Sequence, residues 1–210
     1  MPTFDYLRDP TEITRRSFAT VRAECDLSAL PAELVGLALR LVQACGMPDI
    51  LAELAWAGDV AGAGRAALEA GAPVIADSRM VADGVARDRL PAGNRVLCPL
   101  SDPAVPELAR REKSTRSAAA VELWRPDLAG AVVAIGNAPT ALFRLLEVLL
   151  GGAPKPAALL AFPVGFVGAA DSKEALIGAG LGMPFVTLRG RRGGSALAAA
   201  AVNALAAEVP

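Results

Sequence analysis

A short apolar segment recurs along the chain, each time followed by a loop and a helical pattern, and this feature most constrains the fold. The four clearest copies are residues 73–76, 131–135, 157–162 and 184–188. Strands as apolar as these are typical of a parallel sheet covered on both faces, because the helix after each strand packs back onto the sheet. We therefore predict an α/β protein with a mostly parallel sheet and helices on both faces, a Rossmann-like three-layer sandwich.

The helical spacing of apolar residues predicts most of the other elements. Helices are expected over residues 11–24, 29–45, 51–55, 61–70, 79–85, 118–123, 136–150, 171–177 and 196–206, and residues 96–98 are a further candidate strand. Pro31 stands in the first turn of the second helix, and Gly46 follows its last periodic residue as a C-terminal cap would. No solenoid repeat and no low-complexity linker interrupts the pattern, so residues 1–210 are expected to form a single domain.

The composition argues against several classes of function. The chain has 210 residues, of which 53% are hydrophobic, and its formal net charge is −1. That charge provides no field for nucleic acid or an anionic membrane, and no apolar run is long enough to span a bilayer. Three widely spaced cysteines (Cys25, Cys45 and Cys98) and a polar, acidic N-terminus favour a cytoplasmic protein with free thiols. The chain has no histidine, so it lacks the usual metal ligand and the usual acid–base group.

Two glycine-containing loops between a strand and a helix are candidate ligand sites, since open α/β sheets bind ligands at the carboxyl ends of their strands. In residues 136–140, backbone N–H groups at a helix start could approach an anion, although a tight turn without a ligand explains the same residues. Residues 189–195 hold three arginines and three glycines. Because forked guanidinium donors and close backbone approach coincide there, we favour anion binding over a solvated basic loop.

Two further loops are weaker candidates on their own. Residues 113–117 precede a helix, where ordinary capping explains the serine and threonine residues but not Arg116. Residues 163–170 place three apolar side chains (Val164, Phe166 and Val167) around two glycines. Core packing explains such a loop, but beside an anion site it would suit a ligand that is apolar in its middle and anionic at its rim.

A dinucleotide fingerprint is matched only superficially. Residues 62–67 read Gly-Ala-Gly-Arg-Ala-Ala, but they lie in an Ala-rich helical pattern and no clear strand precedes them. A nucleotide-dependent enzyme on a doubly wound sheet is therefore an alternative that lacks its fingerprint in the right place. It predicts nucleotide affinity, which a thermal-shift panel of nucleotides would detect.

Several motifs occur together in the order that one known family has them. They are residues 6–10 (YLRDP), 16–18 (RSF), 44–47 (ACGM), 77–84 (DSRMVADG), 115–118 (TRSA), 134–142 (AIGNAPTAL), 163–169 (PVGFVGA) and 189–195 (RGRRGGS). On these motifs the chain resembles the precorrin-8X methylmutases over nearly its whole length. The resemblance implies an isomerase of cobalamin biosynthesis that moves a methyl group from C11 to C12 of precorrin-8X, giving hydrogenobyrinic acid. It also implies an α/β protein that forms a cytoplasmic homodimer, with its active site near the interface and no cofactor or metal.

The candidate loops suit the substrate that the resemblance implies, which is a flat apolar ring bearing many carboxylates. Arginine-rich loops and helix N-termini suit the rim, and loops with Val, Phe and Met side chains suit the ring. A sigmatropic methyl shift needs the ring held in shape and one proton placed on a pyrrole-type nitrogen. One acid and a shaped pocket would therefore suffice.

The resemblance assigns roles to particular residues. Gln43 occupies the position of the proton donor. The substrate-binding residues that it implies are Ser17, Met80, Val81, Gly84, Ala86, Arg116, Ser117, Asn137, Ala138, Pro139, Arg189, Arg192 and Gly193. Arg189 and Arg192 are expected to meet acetate or propionate groups. Met80 and Val81 are expected to pack on the ring face, although core packing is the commoner explanation for apolar residues at helical spacing.

Two positions depart from the family pattern. The family has a histidine before Ala-Cys-Gly-Met, thought to protonate the ring-C nitrogen, and this chain has Gln43 there. A glutamine has no proton to release near neutral pH, and loss of a general acid typically costs on the order of 10²–10⁴ in rate. Ala86 stands where members often carry a threonine. This difference is either neutral drift in a tolerant loop or the loss of one contact from the threonine hydroxyl to the ligand. The chain is therefore expected to be a slow isomerase or, alternatively, a corrinoid-binding protein that does not catalyse. Whether the substrate carries cobalt is left open.

Overall fold

The computed structural model describes residues 4–207, and a six-stranded sheet lies at its centre. The strands are β1 (Leu54–Ala57), β2 (Val74–Ala76), β3 (Val96–Leu97), β4 (Val132–Ile135), β5 (Ala158–Ala161) and β6 (Phe185–Leu188). Their order across the sheet is β1-β6-β5-β4-β2-β3. The last five strands of this order run parallel, and β1 alone is antiparallel to its neighbour. The predicted α/β class with a mostly parallel sheet is confirmed.

The helices surround this sheet. In the described part of the chain they are α1 (Pro10–Glu24), α2 (Ala32–Cys45), α3 (Val60–Glu69), α4 (Arg79–Gly84), α5 (Val105–Arg111), α6 (Arg116–Val121), α7 (Pro139–Leu150), α8 (Ala169–Gly178) and α9 (Ser195–Ala206). Short 3₁₀ helices cover Pro48–Glu53, Arg87–Arg89, Pro99–Ser101 and Glu122–Asp127. Over residues 4–207, none of these helices has both the length and the apolar character needed to cross a membrane.

Alternate residues of the central strands point into two separate cores. Val132 and Ala134 of β4 pack with apolar residues of α2, α3 and α9 on one face of the sheet. Val133 and Ile135 of the same strand pack with residues of α7, α8 and Glu122–Asp127 on the other face. This period-two alternation between two helical layers is the three-layer sandwich that the apolar strands predicted.

The helix predicted over residues 51–55 is wrong. The chain there forms the 3₁₀ helix Pro48–Glu53 and then the edge strand β1, whose Leu54 lies opposite Leu188 of β6. Local spacing suggested a helix, but pairing with a strand more than a hundred residues later decides the outcome. Two predicted helix boundaries are also wrong. Residues 29–31 precede α2, which begins at Ala32, and residue 85 follows α4, which ends at Gly84.

The presence of β1 also corrects one reason for rejecting the dinucleotide fingerprint. A strand does precede residues 62–67, but both glycines lie inside α3, after its N-cap Asp59. A Cβ atom on Gly64 would lie 2.5 Å from a methyl carbon of Leu205. Close packing between α3 and α9 therefore accounts for this glycine without a nucleotide.

Candidate active site

Four loops meet at one edge of the sheet because the strands that precede them run parallel. They follow the carboxyl ends of β2, β4, β5 and β6, at residues 77–78, 136–138, 162–168 and 189–194. Backbone hydrogen bonds link them: Gly165 donates to Arg191 at 3.2 Å, and Gly194 donates to Phe162 at 2.8 Å. The loops thus form one connected surface at the edge where open α/β sheets bind ligands. We call it the loop surface.

Asp77 fixes the loop after β4. Its buried carboxylate accepts hydrogen bonds from the backbone N–H groups of Gly136, Asn137 and Ala138 at 2.8 to 3.0 Å. Burial raises the pKa of this carboxyl group, and the three donors act in the opposite direction. The N–H groups that could have approached a ligand anion are thus occupied by a side chain of the protein itself, as in a tight turn without a ligand. What this loop presents outward is the exposed Asn137 and the partly buried Pro139.

Apolar side chains project from the loop surface. Phe166 and Val167 are 88% and 90% exposed, and Met80, in the first turn of α4, is 66% exposed. The guanidinium group of Arg191 lies over the Phe166 ring, 5.0 Å from its centroid. Val81, which was expected beside Met80 on the ligand, is buried in the core instead. The exposed apolar groups beside a cation suit a large ring with an anionic rim.

The two arginines expected to bind substrate carboxylates are ion-paired within the chain. Arg189 donates to the carboxylate of Glu174 at 2.7 Å. Arg192 contacts Asp49 at 2.6 Å and Glu53 at 2.8 Å, and this pairing raises the pKa of its guanidinium group. The acids come from α8 and from Pro48–Glu53, so the pairs tie the basic loop to its surroundings. Internal carboxylates already balance the charge that was expected to meet the ligand.

Lys173 of α8 lies beneath the same loop and is fully buried. Its ammonium group donates to the carbonyl oxygen of Gly190 at 3.0 Å and also to that of Arg192. Burial lowers the pKa of Lys173 to about 8, while Glu53 acts in the opposite direction. A buried cation therefore holds the backbone of the basic loop from below.

Arg116 and Ser117 lie beside the loop after β4. Thr115 caps α6, and its hydroxyl lies 2.8 Å from the hydroxyl of Thr140, so the first turns of α6 and α7 are in contact. Arg116 is exposed and donates to the carbonyl oxygen of Leu100 at 3.2 Å. Ser117 is partly buried. The structure thus brings the expected residues of α6 and of residues 137–139 to the same edge.

Packing accounts for the glycines at positions 84 and 193, and a hydrogen bond to α9 holds the backbone of Ala86. A Cβ atom on Gly84 would lie 2.7 Å from a side-chain carbon of α9, and one on Gly193 would overlap backbone carbonyl oxygens after β5. Asn203 of α9 accepts from the N–H of Ala86 at 2.9 Å and donates to the carbonyl of Gly84 at 3.0 Å. The two glycines therefore have reasons within the fold that do not require a ligand.

Gln43 belongs to α2, and its side chain faces α1 and not the loop surface. Its Oε1 accepts from Nη1 of Arg40 at 2.8 Å, and its Nε2 donates to Oγ of Ser17 at 3.3 Å. The guanidinium group of Arg40 also lies over the ring of Phe18, 4.9 Å from the centroid. The structure therefore brings together Gln43, at the expected proton-donor position, and Ser17, an expected substrate-binding residue.

A groove of about 320 Å³ runs beside this pair. Ser17 and Gln43 line it together with Thr20, Val21, Glu24, Val42, Gly46 and Pro48. Within residues 4–207 no hydrogen bond joins Gln43 directly to the loop surface. The connection runs through Pro48–Glu53, which follows α2 and whose Asp49 and Glu53 hold Arg192.

Another cavity, of about 410 Å³, lies away from both groups of residues. It is at the amino end of β6, where Trp56, Leu181 and Phe185 contribute to its wall, and no charged side chain lines it. A ligand with many carboxylates does not suit such a wall. The loop surface and the Gln43 groove are the better candidates on chemistry.

Sequence reasoning missed two positioning residues. It included Asp77 within the motif of residues 77–84 but did not recognise that an acid directly after a buried strand could hold the neighbouring loop. It passed over Lys173, because nothing in a helical pattern marks one lysine as buried. Within residues 4–207 no three Cys, Asp or Glu side chains are grouped as a metal ion would require.

Comparisons with known proteins agree with this fold and these motifs. The family model described as precorrin-8X methylmutase matches residues 12–208. The chain is 60% identical over 204 residues to the precorrin-8X methylmutase of Pseudomonas aeruginosa, covering 97% of this chain and 98% of that one. It is 57% identical over 206 residues to the Sinorhizobium sp. protein of the same name, covering 98% of both chains.

A solved structure shows the same architecture. The precorrin-8X methylmutase from Thermus thermophilus superposes with a TM-score of 0.85 at 36% sequence identity, covering 93% of this chain and 94% of that one. The match therefore holds in motifs, in sequence and in three dimensions over nearly the whole chain. This chain belongs to the precorrin-8X methylmutase family, the isomerases of cobalamin biosynthesis.

Proposed function

We propose that this chain binds precorrin-8X and hydrogenobyrinic acid and isomerises the former slowly, because Gln43 replaces the proton donor of the family. The observation that carries the proposal is the position of Gln43, which faces Ser17 and lines a groove of about 320 Å³. Its carboxamide can donate a hydrogen bond there but has no proton to release near neutral pH.

Each part of the proposed ligand has a counterpart on the protein. The exposed Phe166, Val167 and Met80 offer an apolar surface to the macrocycle. Arg116 and Asn137 offer polar contacts to its rim from the neighbouring ends of α6 and β4. Holding the ring in shape supplies part of the rate by orientation, so the missing acid would slow the methyl shift without removing it.

The alternative is a corrinoid-binding protein that does not catalyse. It shares the same surface and differs only in turnover, and the observation that favours it is again Gln43. Arg40 already holds Oε1 of this side chain at 2.8 Å and one amide N–H donates to Ser17, which leaves the second amide N–H to meet a ligand. If a hydrogen bond from this amide cannot replace proton transfer at all, binding remains and turnover disappears.

The metal content of the substrate, the oligomeric state and the cellular location are also part of the proposal. The relatives at 57% and 60% identity are named for precorrin-8X, and we propose the metal-free compound as the substrate here. We also propose a cytoplasmic homodimer with the active site near its interface, as the family resemblance implies. Light scattering of the purified chain would give the oligomeric state, and paired assays with metal-free and cobalt-containing substrate would give the preference.

The test is conversion of precorrin-8X, followed by absorbance, for the unaltered chain and for Gln43→His. Gln43→Leu is the matched control, since it keeps the approximate size but removes both hydrogen bonds. We expect Gln43→His to raise turnover on the order of 10²–10⁴-fold while hydrogenobyrinic acid affinity changes little. Comparable rates for the first two chains would contradict the impairment, and an unaltered chain that binds no corrinoid would contradict the whole proposal.

A further inference from the structure

Two arginines without an acidic partner in the described part of the chain, Arg79 and Arg87, lie on the opposite side of the loop surface from residues 189–194. Arg189 and Arg192 are neutralised by Glu174, Asp49 and Glu53. By contrast, the side chains of Arg79 and Arg87 make no ion pair and no hydrogen bond with any residue in 4–207. A guanidinium group without an internal acid is the one available to an external anion.

Arg79 and Arg87 line the same cavity, of about 280 Å³, together with Ala82, Asp83, Val96 and Cys98. Arg79 begins α4, directly after the loop that follows β2, and Cys98 comes directly after β3. Because β2 and β3 are parallel, the carboxyl ends of both strands meet at the same edge. The cavity therefore adjoins the loop surface on the side of β3.

The lining of this cavity fits a carboxylate on a short aliphatic stem. Two guanidinium groups outnumber the single acid Asp83, so its net charge favours an anion. Ala82 and Val96 provide apolar wall for methylene groups. Burial raises the pKa of the Cys98 thiol, which keeps this neighbour neutral and avoids repulsion of an anion.

The cavity also lies beside the apolar part of the loop surface. Met80 follows Arg79 directly and is 66% exposed. A macrocycle resting on Met80 would carry its rim substituents toward Arg79 and Arg87. We propose that these two arginines bind an acetate or propionate carboxylate of the corrinoid. This inference rests on the proposed function and identifies the cationic side chains that contact the carboxylates at the rim of the macrocycle.

The experiment titrates hydrogenobyrinic acid, by absorbance, into the unaltered chain and the double variant Arg79→Gln, Arg87→Gln. Loss of two charge-assisted hydrogen bonds at an exposed edge should weaken binding about 10-fold to 100-fold. Arg79→Lys, Arg87→Lys should recover part of that loss because it keeps the charge. Arg65→Gln is the matched control, since it removes one exposed charge from α3 and should leave the affinity unchanged.

Titration with a second ligand tests whether the two arginines recognise a carboxylate. With hydrogenobyrinic acid whose carboxylates are amidated, the difference between the unaltered chain and the double glutamine variant should largely disappear. Equal thermal unfolding temperatures would show that the variants fold alike. If the unaltered chain binds and the glutamine variant binds within about twofold of it, the subsite is overturned while the proposed function stands. If the unaltered chain binds no corrinoid, both are overturned.

Discussion

The carboxamide Nε2 of Gln43 donates to the hydroxyl of Ser17 at 3.3 Å, across 26 residues of sequence, and thereby joins α2 to α1. Arg40 fixes the other end of the amide, because its Nη1 donates to Oε1 at 2.8 Å. The side chain at position 43 is therefore held between a hydroxyl and a guanidinium group. Any side chain introduced at position 43 will therefore lie beside both Ser17 and Arg40.

This arrangement predicts the pH dependence of Gln43→His. The nearby guanidinium group of Arg40 disfavours a second positive charge, so the introduced imidazole should have a pKa below its ordinary value of about 6.5. If its protonated form is the acid, turnover should fall about tenfold per pH unit above that pKa. The measurement is the initial rate of precorrin-8X conversion between pH 5 and about 9.

Two double variants separate the effects of Arg40 and Ser17 on the pKa of the introduced imidazole. Adding Arg40→Met to Gln43→His removes the guanidinium group and should move the same inflection to higher pH. Adding Ser17→Ala instead should leave the inflection closer to that of the single variant, because a hydroxyl carries no charge. An inflection that Arg40→Met does not move would contradict electrostatic control of position 43.

Asp77→Asn should destabilise the protein. The carboxylate accepts three backbone N–H groups, and an amide of the same shape presents an NH₂ group to at least one of them. A buried donor left unsatisfied costs about 1–3 kcal/mol, and we expect a loss of that size in the free energy of unfolding. Urea denaturation measures it, and Asp88→Asn, at an exposed position, is the control. Equal losses in the two variants would contradict the clamp.

The central layers could be predicted from the sequence because their signals are local. The strand containing Val132 and Ala134 is apolar at every position, and Pro139 directly follows the turn into α7. Such patterns fix the parallel order of strand and helix, and with it the edge that carries the loops. The candidate loops were found for the same reason.

Relationships between distant segments could not be predicted in the same way. β1 is a strand because it pairs with β6, although the local spacing of residues 51–55 suggests a helix that would overlap its start. Arg192 was assigned to a ligand because no pattern shows that Asp49 and Glu53, about 140 residues earlier, lie against it. The wrong helix at residues 51–55 and the unforeseen ion pairs of Arg192 both involve partners that the fold brings together and that sequence spacing does not reveal.

Gly136→Ala should lower the free energy of unfolding, and this variant tests whether packing requires a glycine at this position. An added Cβ would lie 2.7 Å from the Cα of Ser195 and from a methyl group of Val81. Overpacking of this kind costs about 1–3 kcal/mol. Gly178→Ala is the matched control, because nothing lies within 4 Å of its added Cβ and an alanine there should stabilise α8 by about 0.4–1 kcal/mol. Urea denaturation of both variants gives the comparison, and similar stabilities would contradict the packing argument.

Lys173→Met should change how stability depends on pH. The pKa of Lys173 in the folded chain, about 8, lies below the ordinary lysine pKa of 10.5 that applies to the unfolded chain. Between these values only the unfolded chain holds the proton. Raising the pH across this window therefore favours the folded state, and the unaltered chain should gain about 3 kcal/mol relative to Lys173→Met. Subtracting the two curves removes the contributions of other groups.

The measurement is the free energy of unfolding by urea at intervals from pH 7 to about 11, for the unaltered chain, Lys173→Met and Lys155→Met. Lys155 is exposed, so its variant controls for the loss of one positive charge. At every pH the methionine variant also loses the donors to the carbonyl groups of Gly190 and Arg192. We therefore expect weaker hydrogenobyrinic acid binding from Lys173→Met even where its stability matches the unaltered chain, because the loop above it is no longer held. A difference curve that stays flat from pH 8 to 10.5 would show that the buried ammonium group does not titrate in this window.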